Sequence, residues 1–227
     1  MRACRSASIL SLLVITLVGF EGRAALAACP PPPISFKRTQ FDVDAAIDGP
    51  KVIALGDLNK DGRADIVLCS AADDQVDVYL NDGSGGFPAT ARSFSTGATP
   101  IAVVIADFNS DGNPDFAVVA TDDDVVSILL GDGAGNFNDR RDFSVASSGP
   151  ISLVAADFDE DGKTDLAVMN DSDIDLLKGD GSGNFAPFSG SPISTHGGGS
   201  ADIAAGSLNS DGHVDLAVAN SADGIAG

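Results

Sequence analysis

The sequence has no tryptophan, one tyrosine (Tyr79) and two histidines among 227 residues. Broad aromatic rings that stack on sugars are therefore scarce. His196 and His213 lie in separate loops, at neither metal-ligand nor catalytic-dyad spacing. There is also no Gly-x-Ser-x-Gly elbow. Together these absences leave no catalytic constellation and argue against an enzyme. Positive charge is sparse too, with 13 Lys and Arg against 33 Asp and Glu, a formal net charge of −20. Phosphate contacts need Lys and Arg, so nucleic acid is excluded as a partner. The surface suits bound cations or simple solvation.

Long apolar stretches are missing as well. The run Ile9–Phe20 has twelve residues, short of the roughly 20 a membrane helix needs. It follows Arg2 and Arg5 and precedes Ala25-Leu26-Ala27, the layout of a secretory signal peptide over residues 1–28. A secreted or cell-surface chain is expected, with a periplasmic one as the alternative. Loss of the signal leaves ten basic against 32 acidic residues.

Cysteine is limited to Cys4, which leaves with the signal, Cys29 and Cys69. Leu26-Ala27-Ala28-Cys29 resembles a bacterial lipobox, which would place a lipid anchor on Cys29. Glu21 and Arg23 separate it from the apolar run, which favours ordinary cleavage. A Cys29–Cys69 disulfide is a third arrangement that spacing alone does not decide. Residues 29–33 read as a proline-rich linker and 34–49 as an N-terminal strand segment.

What is abundant is repetition. "DLNKDGRAD" at 57–65, "DFNSDGNPD" at 107–115, "DFDEDGKTD" at 157–165 and "SLNSDGHVD" at 207–215 recur every 50 residues. "NDGSGGF" at 81–87, "GDGAGNF" at 131–137 and "GDGSGNF" at 179–185 travel with them. Pro50, Pro100 and Pro150 keep the same phase. A fixed period of this size marks a repeat architecture. The units are 50–99, 100–149 and 150–199, with a partial fourth over 200–227.

Within the first unit, "KVIALGD" (51–57), "DIVLCSA" (65–71), "QVDVYLN" (75–81) and "FPATARSFSTG" (87–97) read as strands bounded by Gly, Asp, Asn or Pro. Outside the signal no run has helical length and period. Each unit is thus four short antiparallel strands, the content of a β-propeller blade. The Gly-rich segments precede strands, so no helix N-terminus is available for phosphate. They read as hairpin turns with a core anchor in Phe87, Phe137 and Phe185.

The unit is similar to the FG-GAP-like (VCBS-type) repeat family, which resembles the propeller of integrin α-subunits. The residues that carry the likeness are Asp-x-Asn/Asp-x-Asp-Gly-x-x-Asp before an apolar strand, followed by Gly-Asp-Gly-x-Gly-x-Phe. It covers about residues 50 to 219. The resemblance implies an all-β, propeller-like array of four-stranded blades. Family propellers usually have about seven blades, so three full units and part of a fourth imply an incomplete or open propeller, or a small ring closed by residues 34–48.

The four acidic loops hold twelve aspartates. Like charges this close repel unless a cation sits among them, and oxygen ligands at alternate positions suit calcium. The family resemblance implies ligands at loop positions 1, 3, 5, 7 (a backbone carbonyl) and 9. These are Asp57, Asn59, Asp61, Arg63 and Asp65; Asp107, Asn109, Asp111, Asn113 and Asp115; and Asp157, Asp159, Asp161, Lys163 and Asp165. The fourth loop keeps Asn209, Asp211 and Asp215 but has Ser207 first, so its occupancy stays open. An EF-hand needs a Glu at position 12; here Leu68, Val118, Val168 and Val218 stand there, inside strands. Simple side-chain-to-backbone turns would account for one loop; three intact copies favour metal. The expected function is a calcium-binding adhesion-type scaffold for a protein or glycan ligand. A polysaccharide-active enzyme or its accessory module is the alternative.

Overall fold

The structure, a computed structural model, describes residues 50–84, 86–88, 90–195 and 199–220. The signal, the linker, the segment 34–49, Cys29 and His196 lie outside the described residues, and with them the ring closure by residues 34–48. Among the described residues there is no helix, hence none long and apolar enough to cross a membrane.

The first sheet runs β1 (Pro50–Gly56), β2 (Asp65–Ser70), β3 (Gln75–Tyr79) and β4 (Arg92–Ser95), antiparallel and in sequence order. The second repeats it with β5 (Pro100–Ala106), β6 (Asp115–Ala120), β7 (Val125–Leu130) and β8 (Asp139–Ser144). The third has β9 (Ser152–Ala156), β10 (Asp165–Met169), β11 (Asp173–Gly179), β12 (Phe185–Pro187) and β13 (Ile193–Ser194). A two-stranded fourth sheet pairs β14 (Ser200–Gly206) with β15 (Asp215–Asn220). Each sheet is open. The first strands lie side by side, β1 on β5, β5 on β9 and β9 on β14, as the inner strands of propeller blades do.

The second strands explain why the sequence runs apolar there instead of alternating. Every residue of β6 is buried. Phe116 and Val118 join Leu58, Val67, Val76 and Val78 of the first repeat. Ala117 and Val119 join Leu166, Val168 and Phe185 of the third. A strand sandwiched between two blades must be apolar on both faces, whereas the outermost strand β8 (Asp-Arg-Arg-Asp-Phe-Ser) is polar and largely exposed. Burying a side chain of this size contributes about 1.5–3 kcal/mol, so the junctions between blades hold the array together.

Two details depart from the strand reading. In the first unit only Arg92–Ser95 pairs, not the whole run 87–97; Pro88 lacks the amide a ladder needs. In the third unit the outer strand splits into β12 and β13. Pro187, Pro192 and Gly190 at φ 92° interrupt it, and Leu176 is satisfied instead by the Phe188 amide and the Ser191 hydroxyl, both at 2.9 Å. Cys69 is a free, buried thiol; its pairing with Cys29 involves a residue outside the described ones. Burial, helped by the nearby Asp77 carboxylate, pushes its pKa up to about 12.

Candidate metal centre

Each acidic loop joins the first and second strands of its sheet, and its side chains fold it. Asp57 accepts the amides of Asp61 (3.0 Å) and Gly62 (2.8 Å). Asp107 does the same for Asp111 (3.2 Å) and Gly112 (2.8 Å), and Asp157 for Asp161 (3.0 Å) and Gly162 (2.8 Å). Asn59 and Asn109 accept the position-5 amides at 3.1 and 3.0 Å. Asp61, Asp111 and Asp161 accept those of Arg63, Asn113 and Lys163 at 3.0, 2.7 and 3.0 Å. These bonds hold Lys60, Ser110 and Glu160 in the left-handed region at φ 59°, 60° and 60°, a conformation that side-chain-bearing residues adopt rarely.

The ninth-position aspartates do more than end the loop. Asp65, Asp115 and Asp165 are fully buried at the heads of β2, β6 and β10. Asp115 accepts the Phe108 amide at 2.8 Å and the Gly131 amide at 2.7 Å. Asp65 takes those of Leu58 and Asn81, both at 2.8 Å, and Asp165 those of Phe158 and Gly179, at 3.0 and 2.8 Å. One carboxylate therefore ties the acidic loop to the start of the Gly-rich motif, which is why the two motifs keep phase. In the second and third repeats glycine begins that motif, where a Cβ on Gly131 or Gly179 would fall 2.1 or 2.2 Å from the carbonyl oxygen of Pro114 or Thr164; the first repeat has Asn81 there. Burial raises Asp115 to about 6 despite its two amide donors, and raises Asp165 for the same reason.

The third loop brings three carboxylates together. One oxygen each from Asp157, Asp159 and Asp165 lies within 4.8 Å of the others. Calcium–oxygen distances of about 2.3–2.6 Å give ligand spacings up to about 5 Å, so this donor set fits calcium. In the first two loops Asn59 and Asn109 supply a neutral oxygen at position 3. At position 7 the side chains are engaged elsewhere: Arg63 with Asp61 (3.1 Å), Lys163 with Asp161 (3.2 Å), and Asn113 as acceptor from Lys60 (3.1 Å). In the third loop Lys178, at the end of β11, also forms ion pairs with Asp159 and Asp161. Its hydrogen bond holds Asp161 below the usual carboxylate range. At Asp111 burial pulls upward, but hydrogen bonds from Asn113 and Asn109 outweigh it and lower the group.

The fourth loop is built differently. The Ser207 hydroxyl donates to the Asn209 carbonyl at 2.9 Å. Asp211 still accepts the His213 amide at 2.9 Å and Asp215 the Leu208 amide at 2.7 Å. Leu208 is 70% exposed, where its counterparts Leu58 and Phe108 are buried beneath the next blade.

Several connecting residues escaped sequence reading. The Arg92 guanidinium donates to the carbonyls of Ala134 (3.0 Å) and Gly135 (3.2 Å) in the next repeat, and Arg141 to that of Ser182 (2.7 Å). Arg92 lies five residues after Phe87 and Arg141 four after Phe137, so the clasp is out of phase. The acidic loops also touch one another, Lys60 reaching Asn113 and Glu160 reaching His213. Phe137 and Phe185 are buried in the core as expected, whereas Phe87 is half-buried and belongs to neither of their core clusters.

The family model for the FG-GAP-like repeat matches residues 57–118, 111–168 and 157–218. No curated protein matches the chain. Among solved structures, BBS1N in complex with ARL6DN, soaked with lead, is 16% identical with a TM-score of 0.54, covering 81% of this chain and 57% of that one. The same complex soaked with mercury gives 16% and 0.55, covering 78% and 49%. This chain thus spans about half the length of those it matches, and the likeness is one of fold. Fold and repeat are those of binding or scaffold modules.

Proposed function

The chain belongs to the FG-GAP-like repeat family, and on that footing we propose that it is an exported, calcium-stabilised scaffold whose array presents a binding surface to another protein. The observation that carries calcium is the convergence of the Asp157, Asp159 and Asp165 oxygens within 4.8 Å. The siblings Asp57, Asn59, Asp61 and Asp65, and Asp107, Asn109, Asp111 and Asp115, offer oxygen donors at the same loop positions. When bound, the ion would neutralise the crowded carboxylates of each loop. Export rests on the signal-like residues 1–28. A protein ligand is favoured over a glycan by the single tyrosine and absent tryptophan, and by the protein partner in the BBS1N complex.

Extracellular-type calcium sites have dissociation constants of about 10⁻⁴–10⁻³ M. At ten times that concentration each contributes about 1.4 kcal/mol, so three add about 4 kcal/mol. Thermal melting in calcium and in chelator checks this. A rise in Tm with calcium is expected; superimposed curves remove calcium from the function.

A further inference from the structure

The third acidic loop differs from its siblings at two places at once. Position 3 is Asp159, where the other loops have Asn59, Asn109 and Asn209. The residue before the Gly that opens the second motif in the third repeat is Lys178, where Leu80 and Leu130 stand in the first two. Those leucines lie against the next repeat: a Cβ built on Gly135 would meet Leu80, and one on Gly183 would meet Leu130, both at 2.9 Å. Lys178 instead turns to its own loop. Its ammonium pairs with Asp159 and, at 3.0 Å, with the Asp161 oxygen that Lys163 also reaches at 3.2 Å. The extra carboxylate and the extra cation thus occur together, in one repeat, in contact.

We infer that Lys178 is a built-in counter-cation of the third loop, occupying the Asp159 and Asp161 oxygens that calcium would take and so setting this loop's calcium affinity. The inference rests on the calcium reading of the loops. An ammonium tethered to β11 is present at high local concentration whatever the solution holds. Calcium entering the third loop must displace it to solvent, and the remaining lysine charge then repels the ion. The first two loops have leucine there: the first holds only its position-7 cation, Arg63 on Asp61 at 3.1 Å, whereas the third holds Lys178 in addition to its own position-7 cation, Lys163. Loops one and two therefore fill first, and the third fills later, although it holds five acidic residues to their three.

The experiment is a calcium chloride titration of the ¹⁵N-labelled chain followed loop by loop. The amides of Gly62, Gly112 and Gly162 each donate to the position-1 aspartate of their own loop at 2.8 Å, so each resonance reports one site. Gly162 should shift at a higher midpoint than Gly62 and Gly112. Lys178→Leu, which installs the sibling residue, should lower the Gly162 midpoint about tenfold, the loss of an opposing interaction of about 1.4 kcal/mol, and leave the other two in place. Lys178→Arg, which keeps the charge, should leave the Gly162 midpoint near the native one. A Gly162 midpoint unmoved by Lys178→Leu, while the other loops respond to calcium, overturns the role of Lys178 alone. Silence of all three glycines removes the calcium reading and this inference with it.

Discussion

Replacing Phe137 with alanine should remove much of what joins the first two blades. Phe137 is 2% exposed. It stacks on Phe116 of its own sheet with centroids 4.0 Å apart and planes at 22°, and meets Phe94 of the first sheet edge-on at 5.4 Å and 80°. Phe→Ala in a core costs about 3–5 kcal/mol. Each aromatic contact contributes about 0.5–1.5 kcal/mol beyond area, which places this site toward the upper end of that range. A domain of ordinary stability has about 5–15 kcal/mol in all, so Phe137→Leu, costing about 1–2 kcal/mol on the large-to-small scale, gives a second, foldable point on the same line. The assay is urea unfolding read by two signals. Far-ultraviolet circular dichroism follows every sheet, while fluorescence follows Tyr79, the one tyrosine, buried in the first sheet. In a repeat array stability is a sum of units and junctions, so a weakened junction should separate the two curves, tyrosine moving first. A loss below about 1.5 kcal/mol with coincident curves would refute the idea that this phenylalanine is a junction anchor.

Two further outcomes follow from the buried ionisable groups. With Cys4 and Cys29 replaced by serine, Cys69 at about pKa 12 instead of 9.0 should react with a thiol reagent at pH 8 about a thousandfold more slowly in the folded chain than in urea, because the thiolate is the nucleophile; equal rates would show that the site opens readily. Asp115 binds its proton more tightly folded than unfolded, with a pKa of about 6 against 3.8. Its stabilising contribution is therefore complete below about pH 4 and lost as the pH rises through 6. In calcium-free protein, Asp115→Asn should flatten that fall, worth about 2–3 kcal/mol, in urea unfolding between pH 4 and 7; parallel profiles for the two chains would contradict the raised pKa.

The strands and loops were legible because their determinants are local and repeated. Gly62, Gly112 and Gly162 mark the turns, and the run from Asp115 to Ala120 can hardly be anything but a strand between two apolar surfaces. The core role of Phe137 was readable from the phase of its motif. Lys178 was not, because leucine and lysine both end a strand acceptably, and only the path of the side chain shows which neighbour it meets. The Arg92 and Arg141 clasps were hidden for another reason. Arginine is long enough to reach one carbonyl from either of two neighbouring positions, so the contact survives a shift that erases its periodicity. The dual duty of Asp65, Asp115 and Asp165 was also out of reach, since the amides of Asn81, Gly131 and Gly179 carry no side-chain signature.

The two-sided burial of β6 bears on how such a chain can vary through descent. Phe116 and Ala117 are bonded neighbours, yet they belong to different cores and can drift independently. Phe116 answers instead to Val67, and Ala117 to Leu166, each about fifty residues away. Compensating changes should therefore jump by one whole unit, and lineages of such repeats should record their history as paired substitutions between neighbouring copies. A copy gained or lost at an end of the array leaves every surviving pair matched, whereas one inserted or removed between others creates a new, unmatched junction, so the number of units can change more freely at the ends than in the middle.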